Sequence, residues 1–464
     1  MMQVSKMSMT MAAAAVLVLA SCSKSNNNNN NNGGGTTTTT TDTVGLISNT
    51  SPLSGNVHGI MGAGRTYTLG GDITVPKGDT LTLQAGVTIK IPGKYDIIVQ
   101  GSFVSEGTQA APNWITSGTT HQDNPFTSMA AALTSDPAYQ GQWDGINCDT
   151  TCPLFIMKWT HLEFGGATFG QAPVAGTTAG TASYLIMFQN INGVFDLEDS
   201  WIYGSTDDAV RVTYGNINVM RNTFEKCGSN TGEALNVKSG TVGDIGYNVF
   251  VGAATNGTKI SNAGASPVEC NVHCYNNTYI DCGYRNSTPS GHGGSINLEK
   301  GGEAYLYNNL IVNCRVGLRI VNTADTLNAK YGNSYFYGDS VQVADQFYSV
   351  GDATHPELTD IPVPSSYLPA GYAEGAAYDG SSVVGKNNPN FKTFTLPNVN
   401  YVNVDNAAGY NFHLNTGSQA IGAGTTAFAP LAKVPVNATY GATEITLPGS
   451  DIGAYESNGT GNKH

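Results

Sequence analysis

A short pattern repeats through the middle of the chain: a polar residue is followed two positions later by a large apolar residue and five positions later by a small one. Copies of this pattern begin at Thr160, Asp199, Asn222, Asn248, Asn277, Asn309 and Asn333. The starts from residue 199 onward lie 23 to 32 residues apart. Short strand patterns that repeat in fixed phase, with inserts of variable length, are typical of a solenoid whose turns absorb the inserts. The pattern therefore predicts stacked coils rather than separate globular domains.

Equivalent positions of stacked parallel coils form columns, with neighbouring coils about 4.8 Å apart. The large apolar position is predicted to face the core, in the column Leu162, Trp201, Phe224, Phe250, Tyr279, Ile311 and Tyr335. The recurring Asn favours a ladder of amides bonded along the stack, formed by Asn222, Asn248, Asn277, Asn309 and Asn333. The small position predicts buried residues without disulfides, in the column Cys227, Ala253, Cys282 and Cys314.

From about residue 46 the pattern changes to alternation, with apolar residues at every second position between turns rich in Gly and Pro. Examples are Tyr67–Leu69, Ile73–Val75, Leu81–Leu83, Val87–Ile91 and Ile97–Val99. Such alternation predicts short strands, and one interruption at residues 125–133 predicts a short helix. The low share of charged residues, 12%, and the 57 Gly also favour strands and turns. We therefore predict an all-β fold, a single-stranded parallel β-helix over residues 46–456 with an N-terminal cap.

Several phrases in the chain resemble secreted bacterial β-helix proteins of the pectate-lyase-like superfamily. They are Gly78–Lys90, Val99–Thr108, Trp143–Ile146, Asn411–Gly424 and Asp451–Glu456. The resemblance implies a right-handed β-helix, and it implies that the last two phrases form its closing coils. We expect residues 457–464 to be a disordered tail.

The N-terminal residues 1–21 have the features of a secretory signal, because Lys6 precedes an apolar run from Met11 to Ala20. The segment Leu19–Cys22 resembles the bacterial lipobox, which implies lipidation of Cys22 and membrane anchoring. An ordinary signal with an accidental Cys is the alternative. Residues 22–45, rich in Asn, Gly and Thr, are predicted to form a low-complexity tether. The resemblance to lipoproteins implies sorting to the outer membrane and leaves open which face the protein occupies.

Cys148 and Cys152 are separated by three residues in a predicted turn, a spacing that a disulfide can close. Metal ligation is the alternative, although a zinc site would need further Cys or His ligands nearby. The sequence has eight Cys, so lipidation of Cys22 leaves an odd number and at least one free thiol.

A second strand follows each repeat, and one polar residue lies between its apolar residues. These polar residues are Arg211, Asn236, Lys259, Asn297 and Arg319, which we call the polar ladder. Alternation points them outward on one face of the stack. Cations bind uronate carboxylates, amides bind hydroxyl groups and aromatic rings stack on pyranose faces. The face therefore predicts a polysaccharide-binding groove, with a merely solvated sheet face as the alternative.

A polysaccharide lyase needs a base beside a uronate carboxylate and a cation that neutralises this carboxylate. Candidate bases are Arg211, Lys259 and Arg319. Candidate substrate contacts are Asn236, Asn297, Lys300 and Tyr214. Candidate calcium ligands are Asp207, Asp208 and Glu233, and we predict no other cofactor. These residue types suit a lyase, but their spacing is not diagnostic.

Two phrases resemble the polygalacturonases, which are β-helical pectin hydrolases. They are Thr206–Val210, with its paired aspartates, and Gly291–Ile296, with His292, followed by Arg319. The resemblance implies catalytic roles for His292 and Arg319. The intervening coils, however, predict a separation of about 14 Å between the aspartates and His292. An inverting hydrolase also needs two carboxyl groups about 6.5–9.5 Å apart, which adjacent aspartates on opposite faces do not provide.

The formal net charge of −13 argues against a nucleic-acid partner, because binding a phosphate backbone requires a basic face. We predict a membrane-anchored, extracytoplasmic monomer that binds a polysaccharide, with cleavage as a further expectation. A uronate-specific lyase, a pectin-type hydrolase and a non-catalytic adhesin or structural surface protein remain the alternatives.

Overall fold

Short strands with two-residue alternation stack in parallel into three sheets along one axis. The computed structural model describes residues 41–42, 45–122, 126–286, 293–321, 323–344, 360–361, 384–386, 388–394, 409–437, 439–440 and 445–464. From β4 to β31 each coil supplies one strand to each sheet in turn, and neighbouring coils pair in parallel. The predicted parallel β-helix is therefore confirmed.

Sheet 1 contains twelve strands. They are β1 Thr41–Asp42, β2 Leu46–Ile47, β4 Gly59–Met61, β6 Thr80–Leu83, β9 Ser102–Glu106, β12 Leu154–Lys158, β15 Val194–Glu198, β18 Gly215–Met220, β21 Thr241–Gly246, β24 Asn271–Tyr275, β27 Glu303–Tyr307 and β30 Lys330–Gly332. Strand β1 pairs antiparallel with β2, so Thr41 and Asp42 of the predicted tether already belong to the sheet.

Sheet 2 carries the repeated pattern. Its strands are β5 Thr66–Val75, β7 Thr88–Lys90, β10 Asn113–Thr116, β13 Thr160–Glu163, β16 Trp201–Tyr203, β19 Thr223–Glu225, β22 Val249–Val251, β25 Thr278–Ile280, β28 Leu310–Val312 and β31 Tyr335–Tyr337. The long strand β5 continues into sheet 3, so one strand joins the two sheets at the N-terminal end.

Sheet 3 carries the polar ladder. Besides β5, its strands are β3 Leu53–Asn56, β8 Ile97–Val99, β11 Ile146–Cys148, β14 Ile186–Phe188, β17 Val210–Val212, β20 Leu235–Val237, β23 Asn256–Ser261, β26 Gly294–Glu299, β29 Arg319–Val321 and β32 Asp360–Ile361. Strand β32 pairs antiparallel with β29 and ends the regular parallel order.

The remaining elements lie outside the stack. They are helices α1 Met129–Ser135 and α2 Val341–Ala344, the 3-10 helix Pro137–Tyr139, and the antiparallel pair β33 Phe391–Thr393 and β34 Asn411–Leu414. Helix α1 confirms the short helix predicted in the interruption, and the Ser128 side chain caps its N-terminus. No helix in the described part of the chain is long and apolar enough to cross a membrane.

The inward column of sheet 2 is fully buried, but two of its predicted members are wrong. Its register is Leu162, Ile202, Phe224, Phe250, Tyr279, Ile311 and Phe336. Ile202 and Phe336 therefore replace Trp201 and Tyr335. In each of these two coils the repeated pattern begins one position later than predicted. A slip of one residue moves a side chain to the opposite face of a strand. Phe224, Phe250 and Tyr279 stack with ring centroids 4.8 Å apart.

The amide ladder is confirmed for four of its five predicted residues. Each ladder side chain accepts a hydrogen bond from the backbone of the previous coil: Asn222 from Ser200, Asn248 from Asn222, Asn277 from Asn248, and Asn309 from Asn277. Asn333 is not a rung, because its side chain instead donates to Ala423 O. Its backbone has φ of 48°, and the residues one position before each rung have similar values of 51–59°. These residues in the left-handed conformation redirect the chain from a strand of sheet 1 into a strand of sheet 2.

The C-terminal residues run back along the outside of the coils. Tyr247 OH donates to Leu447 O at 2.7 Å, and the Asn462 amide donates to Asn222 O at 3.2 Å. The His464 ring stacks on Trp201 with centroids 3.8 Å apart. The closing coils implied by the resemblance are therefore wrong: this segment covers the corner between sheets 1 and 2. Residues 457–464 also make contacts with the coils, through Asn462 and His464.

All seven Cys of the described residues are free and buried. The prediction of stacked thiols without disulfides is confirmed for Cys227, Cys282 and Cys314. Cys148 and Cys152, which were predicted to form a bridge, are both free thiols in the structure, and their side chains contact each other. Cys22 and residues 1–40 lie outside the described residues.

Candidate functional site

The polar ladder forms one register column on the outer side of sheet 3. Arg211 pairs with Asn236, Asn236 with Lys259, Lys259 with Asn297, and Asn297 with Arg319. Alternation places a core-facing apolar residue on each side of Arg211 and Asn236 in their strands. The predicted alignment of these five side chains on one face is therefore confirmed.

Asp208 fixes the N-terminal end of the ladder. Its Oδ2 lies 3.1 Å from Arg211 Nε and accepts a hydrogen bond of 2.8 Å from the Asn236 amide. Its Oδ1 accepts from the backbone N–H of Glu233 at 2.9 Å. Hydrogen bonds and the charge of Arg211 outweigh burial and lower the pKa of the Asp208 carboxyl. Asp208 is thus a fixed anion that orients Arg211.

Lys259 connects the middle of the ladder through two carboxylates. Its Nζ lies 3.2 Å from Glu233 Oε1 and 3.6 Å from Glu299 Oε1. These carboxylates raise the pKa of Lys259 against the effect of burial. Because a protonated amine cannot accept a proton, the role of Lys259 as a base is not supported.

Asn297 and Arg319 complete the ladder. The Asn297 amide donates to Glu299 Oε2 at 3.1 Å, and Arg319 donates to Asn297 Oδ1 at 3.0 Å. Asn236 and Asn297 are almost completely buried. Their predicted direct contact with a saccharide is therefore not supported, and both residues instead hold charged neighbours in place.

Arg211 offers a partly accessible positive charge on this face. Its side chain is 26% exposed. Its guanidinium lies 4.5 Å from the centroid of the Tyr184 ring and donates a hydrogen bond to the Tyr184 hydroxyl. Tyr184, which the sequence analysis missed, lies in the segment before β14, where no repeat pattern marks it. The pair presents a fixed cation beside an aromatic ring.

Two further ionisable groups flank Arg211. Burial and the charge of Asp208 raise the pKa of Asp207 to about 6. Burial, together with the charges of Arg211 and Lys259, lowers the pKa of Lys238 to about 8. Lys238 therefore loses its proton at a lower pH than an ordinary lysine, which suits a general base. Lys238 was also missed, although its position two residues after Asn236 already predicts that it faces outward.

The carboxyl group of Glu233 interacts with that of Asp208. Burial and the negative charge of Asp208 raise the pKa of Glu233, and the charge of Lys259 opposes this shift. Asp207, Asp208 and Glu233 were predicted to bind calcium. Among the described residues, the cluster of carboxylate oxygens within 4.8 Å of one another is instead Glu269, Glu303 and Asp325. Arg211 and Lys259 already pair with Asp208 and Glu233, and calcium binding by these residues stays a prediction.

The other predicted site residues have different surroundings. The Lys300 side chain is 62% exposed, and its Nζ lies 3.9 Å from Glu299 Oε1, so it can reach a ligand. Tyr214 is partly buried in a left-handed turn beside Gly240. His292 lies outside the described residues, so its catalytic role stays a prediction.

An aromatic column occupies the outer side of sheet 2. His161 lies between Trp114 and Trp201, with ring centroids 3.7 and 4.2 Å apart and nearly parallel planes. Trp114 is 36% exposed at the N-terminal end of this column. The sequence did not predict this column, because the predicted register was wrong by one residue at Trp201 and placed its side chain in the core.

No family model, curated protein or solved structure matches this chain.

Proposed function

We propose that the protein binds an acidic, uronate-containing polysaccharide along the polar ladder. The observation that carries this proposal is the partly exposed guanidinium of Arg211, fixed by Asp208 and stacked on Tyr184. Arg pairs with carboxylates through parallel hydrogen bonds, and a fixed guanidinium loses little entropy when it does so. Lys300 supplies a second accessible cation at the other end of the face.

The spacing of the coils supports binding to a polymer. Coils repeat about every 4.8 Å, close to the length of one sugar unit in an extended chain. A polysaccharide lying along the stack would therefore meet equivalent positions of successive coils. The ion pairs of Lys259 with Glu233 and Glu299 tie three coils together and keep this surface rigid.

Cleavage by β-elimination is a second candidate function, favoured by Lys238. The neutral Lys238 amine would remove the proton at C5 of a uronate whose carboxylate is paired with Arg211. The electrons of the C–H bond would form a C4–C5 double bond, and the C4–O bond would break. The leaving oxygen would then take this proton from the Lys238 ammonium, which restores the neutral amine. A hydrolase receives no comparable support, because Asp208 is held by Arg211, Asn236 and the backbone of Glu233.

We further propose that Cys22 carries a lipid that anchors a monomeric protein in the outer membrane, with the β-helix outside the cytoplasm. The support is the lipobox resemblance and the tether that follows it. More than one acyl chain gives stable residence in a membrane. A Cys22→Ser variant that still carried lipid would contradict this proposal.

A glycan panel tests the functional proposal. The purified protein is incubated with uronate-rich and neutral polysaccharides, with and without a chelator. We expect binding to the uronate-rich members only. An unsaturated product absorbing in the ultraviolet indicates a lyase, and binding without any product indicates a capture protein. Equal binding to neutral polysaccharides, or none to any, would contradict the proposal.

A further inference from the structure

The aromatic column on the outer side of sheet 2 ends at Trp114. One coil earlier the same register position is Thr88, and two coils earlier it is Thr66. His161 covers one face of the Trp114 ring, with ring centroids 3.7 Å apart. Because a threonine side chain is much smaller than an indole, the outer part of the opposite face extends beyond Thr88. The column therefore ends in a partly open aromatic face.

The exposure of two tryptophans in this column supports the same geometry. Trp114 is 36% exposed. Trp201 occupies the same register column, but its ring lies between those of His161 and His464, and it is less exposed than Trp114. An uncovered ring face at Trp114 accounts for this difference.

Strand pairing holds Trp114 in place before any ligand binds. Strand β10 pairs in parallel with β7 on one side and with β13 on the other. The backbone N–H of Trp114 also donates to Val87 O at 2.8 Å. A ring that is already fixed loses little conformational entropy when a second ring packs on it. The open face of Trp114 is therefore suited to stack on one further ring.

Lys90 adds a positive charge beside this face. It lies two residues after Thr88 in β7, so both side chains point outward from sheet 2. Lys90 is exposed and forms no salt bridge with a residue that the structure describes. A ring that packs on Trp114 above Thr88 lies within reach of this ammonium group. The partly exposed Thr88 can bond a hydroxyl group of the same ring.

We propose that Trp114, Thr88 and Lys90 form a second saccharide subsite, which binds one uronate ring of a polysaccharide. The apolar face of the pyranose stacks on Trp114, and its carboxylate pairs with Lys90. This inference rests on the proposed function for the class of its ligand, but the subsite lies on sheet 2 and shares no residue with the polar ladder. Two sites on different sheets allow one molecule to bind two segments of polymer, which raises the overall affinity.

A short ligand tests this subsite in the Arg211→Ala variant, in which the first site is weakened. The probes are a uronate trisaccharide and its neutral counterpart, in which hydroxymethyl groups replace the carboxylates. Tryptophan fluorescence and calorimetry follow the titrations. We expect the uronate trisaccharide to change the fluorescence and to bind about fivefold more tightly than the neutral one. Trp114→Ala in the same background should abolish the fluorescence change and weaken binding about tenfold or more.

Lys90→Met provides a second variant at an exposed position, where a substitution leaves the fold intact. It should lower the affinity for the uronate trisaccharide about fivefold and leave the affinity for the neutral one unchanged. Lys77→Met removes an exposed lysine from the turn after β5 and should bind as its parent does. The subsite is wrong if the uronate trisaccharide does not change the fluorescence, if Trp114→Ala retains the change, or if both lysine variants bind alike.

The subsite and the proposed site at Arg211 can fail separately. Full polysaccharide binding by Arg211→Ala, together with the expected loss in Trp114→Ala, would overturn the site at Arg211 and leave the subsite in place. Loss of all trisaccharide binding in Arg211→Ala would overturn the subsite and leave the site at Arg211 in place.

Discussion

Lys259 Nζ lies 3.2 Å from Glu233 Oε1, across the boundary between two coils. The same amine lies 3.6 Å from Glu299 Oε1 on the following coil. One buried cation thus joins three coils through two carboxylates. The face proposed to bind a polysaccharide is therefore also a structural element of the stack.

Replacement of Lys259 by Met should destabilise the protein by about 3 kcal/mol, because it leaves Glu233 and Glu299 buried without their cation. Urea unfolding measures this loss. Lys300→Met is the matched control, since Lys300 lies 3.9 Å from the same Glu299 oxygen but is 62% exposed. Its loss should cost less than about 1 kcal/mol. Equal effects of both variants would contradict a structural role for Lys259.

The amide ladder should contribute comparably to stability. Asn248 Oδ1 accepts from the Asn222 backbone at 2.9 Å, and its Nδ2 donates to Val219 O at 2.9 Å. Asn248→Ala leaves these buried groups unpaired and should cost at least about 2 kcal/mol in urea unfolding. Asn333→Gly is the control, because Asn333 is outside the ladder and Gly tolerates its positive φ. A larger loss of stability for Asn333→Gly than for Asn248→Ala would instead support the register predicted from the sequence, in which Asn333 belongs to the ladder.

The sequence predicted the fold well where one residue type recurs at one position of every coil. Asn222, Asn248, Asn277 and Asn309 each use their side chain in the same way, so their spacing alone reveals the stack. Ser200 occupies the same position, but its short side chain resembles any turn residue. The sequence pattern therefore predicts a start at the adjacent Asp199, which places Trp201 on the wrong face.

Only those residues of the candidate site that lie on regular strands could be predicted from the sequence. Alternation aligned Arg211 with Arg319 correctly, because the strand period fixes which side chains face outward. Tyr184 belongs to a segment without a repeat, so only the folded chain brings it to this face. The path of the C-terminal segment could not be predicted from the sequence either, because its contacts with Asn222 and Tyr247 depend on backbone without regular secondary structure.

Acid should weaken the aromatic column through His161. Burial lowers the pKa of His161 to about 4 from its usual 6.5, against the charge of Glu163 and together with those of His464 and His121. Because the unfolded state takes up the proton first, the stability that His161 contributes is present above about pH 6.5. It is lost as the pH falls toward 4.

His161→Phe should keep the stacking between Trp114 and Trp201 while removing this pH dependence. The free energy of unfolding, measured in urea at pH 7 and at pH 4.5, should therefore fall less for the variant than for wild type. His58→Phe, at a half-exposed position, should behave as wild type. An unchanged pH dependence in His161→Phe would contradict the prediction.

Arg211→Ala should weaken binding to a uronate-rich polysaccharide about tenfold or more, because a charge-assisted pair contributes about 1.5–3 kcal/mol. Fluorescence or calorimetric titration measures this affinity. Arg65→Ala removes an equal charge from an exposed position of the first coils and should bind as wild type. Equal weakening in both variants would indicate non-specific attraction rather than a site at Arg211.

Lys238→Met separates cleavage from binding. If the neutral Lys238 amine takes the C5 proton, this variant should retain most of its affinity for the polysaccharide but lose formation of the unsaturated product by a factor of about 100 or more. In wild type, the rate should rise with pH through about 8, as Lys238 loses its proton. Lys238→Arg, which keeps the charge but cannot become neutral, should be as inactive as Lys238→Met. Product formation by Lys238→Arg at the wild-type rate would assign the proton transfer to another residue and leave Lys238 a role in binding alone.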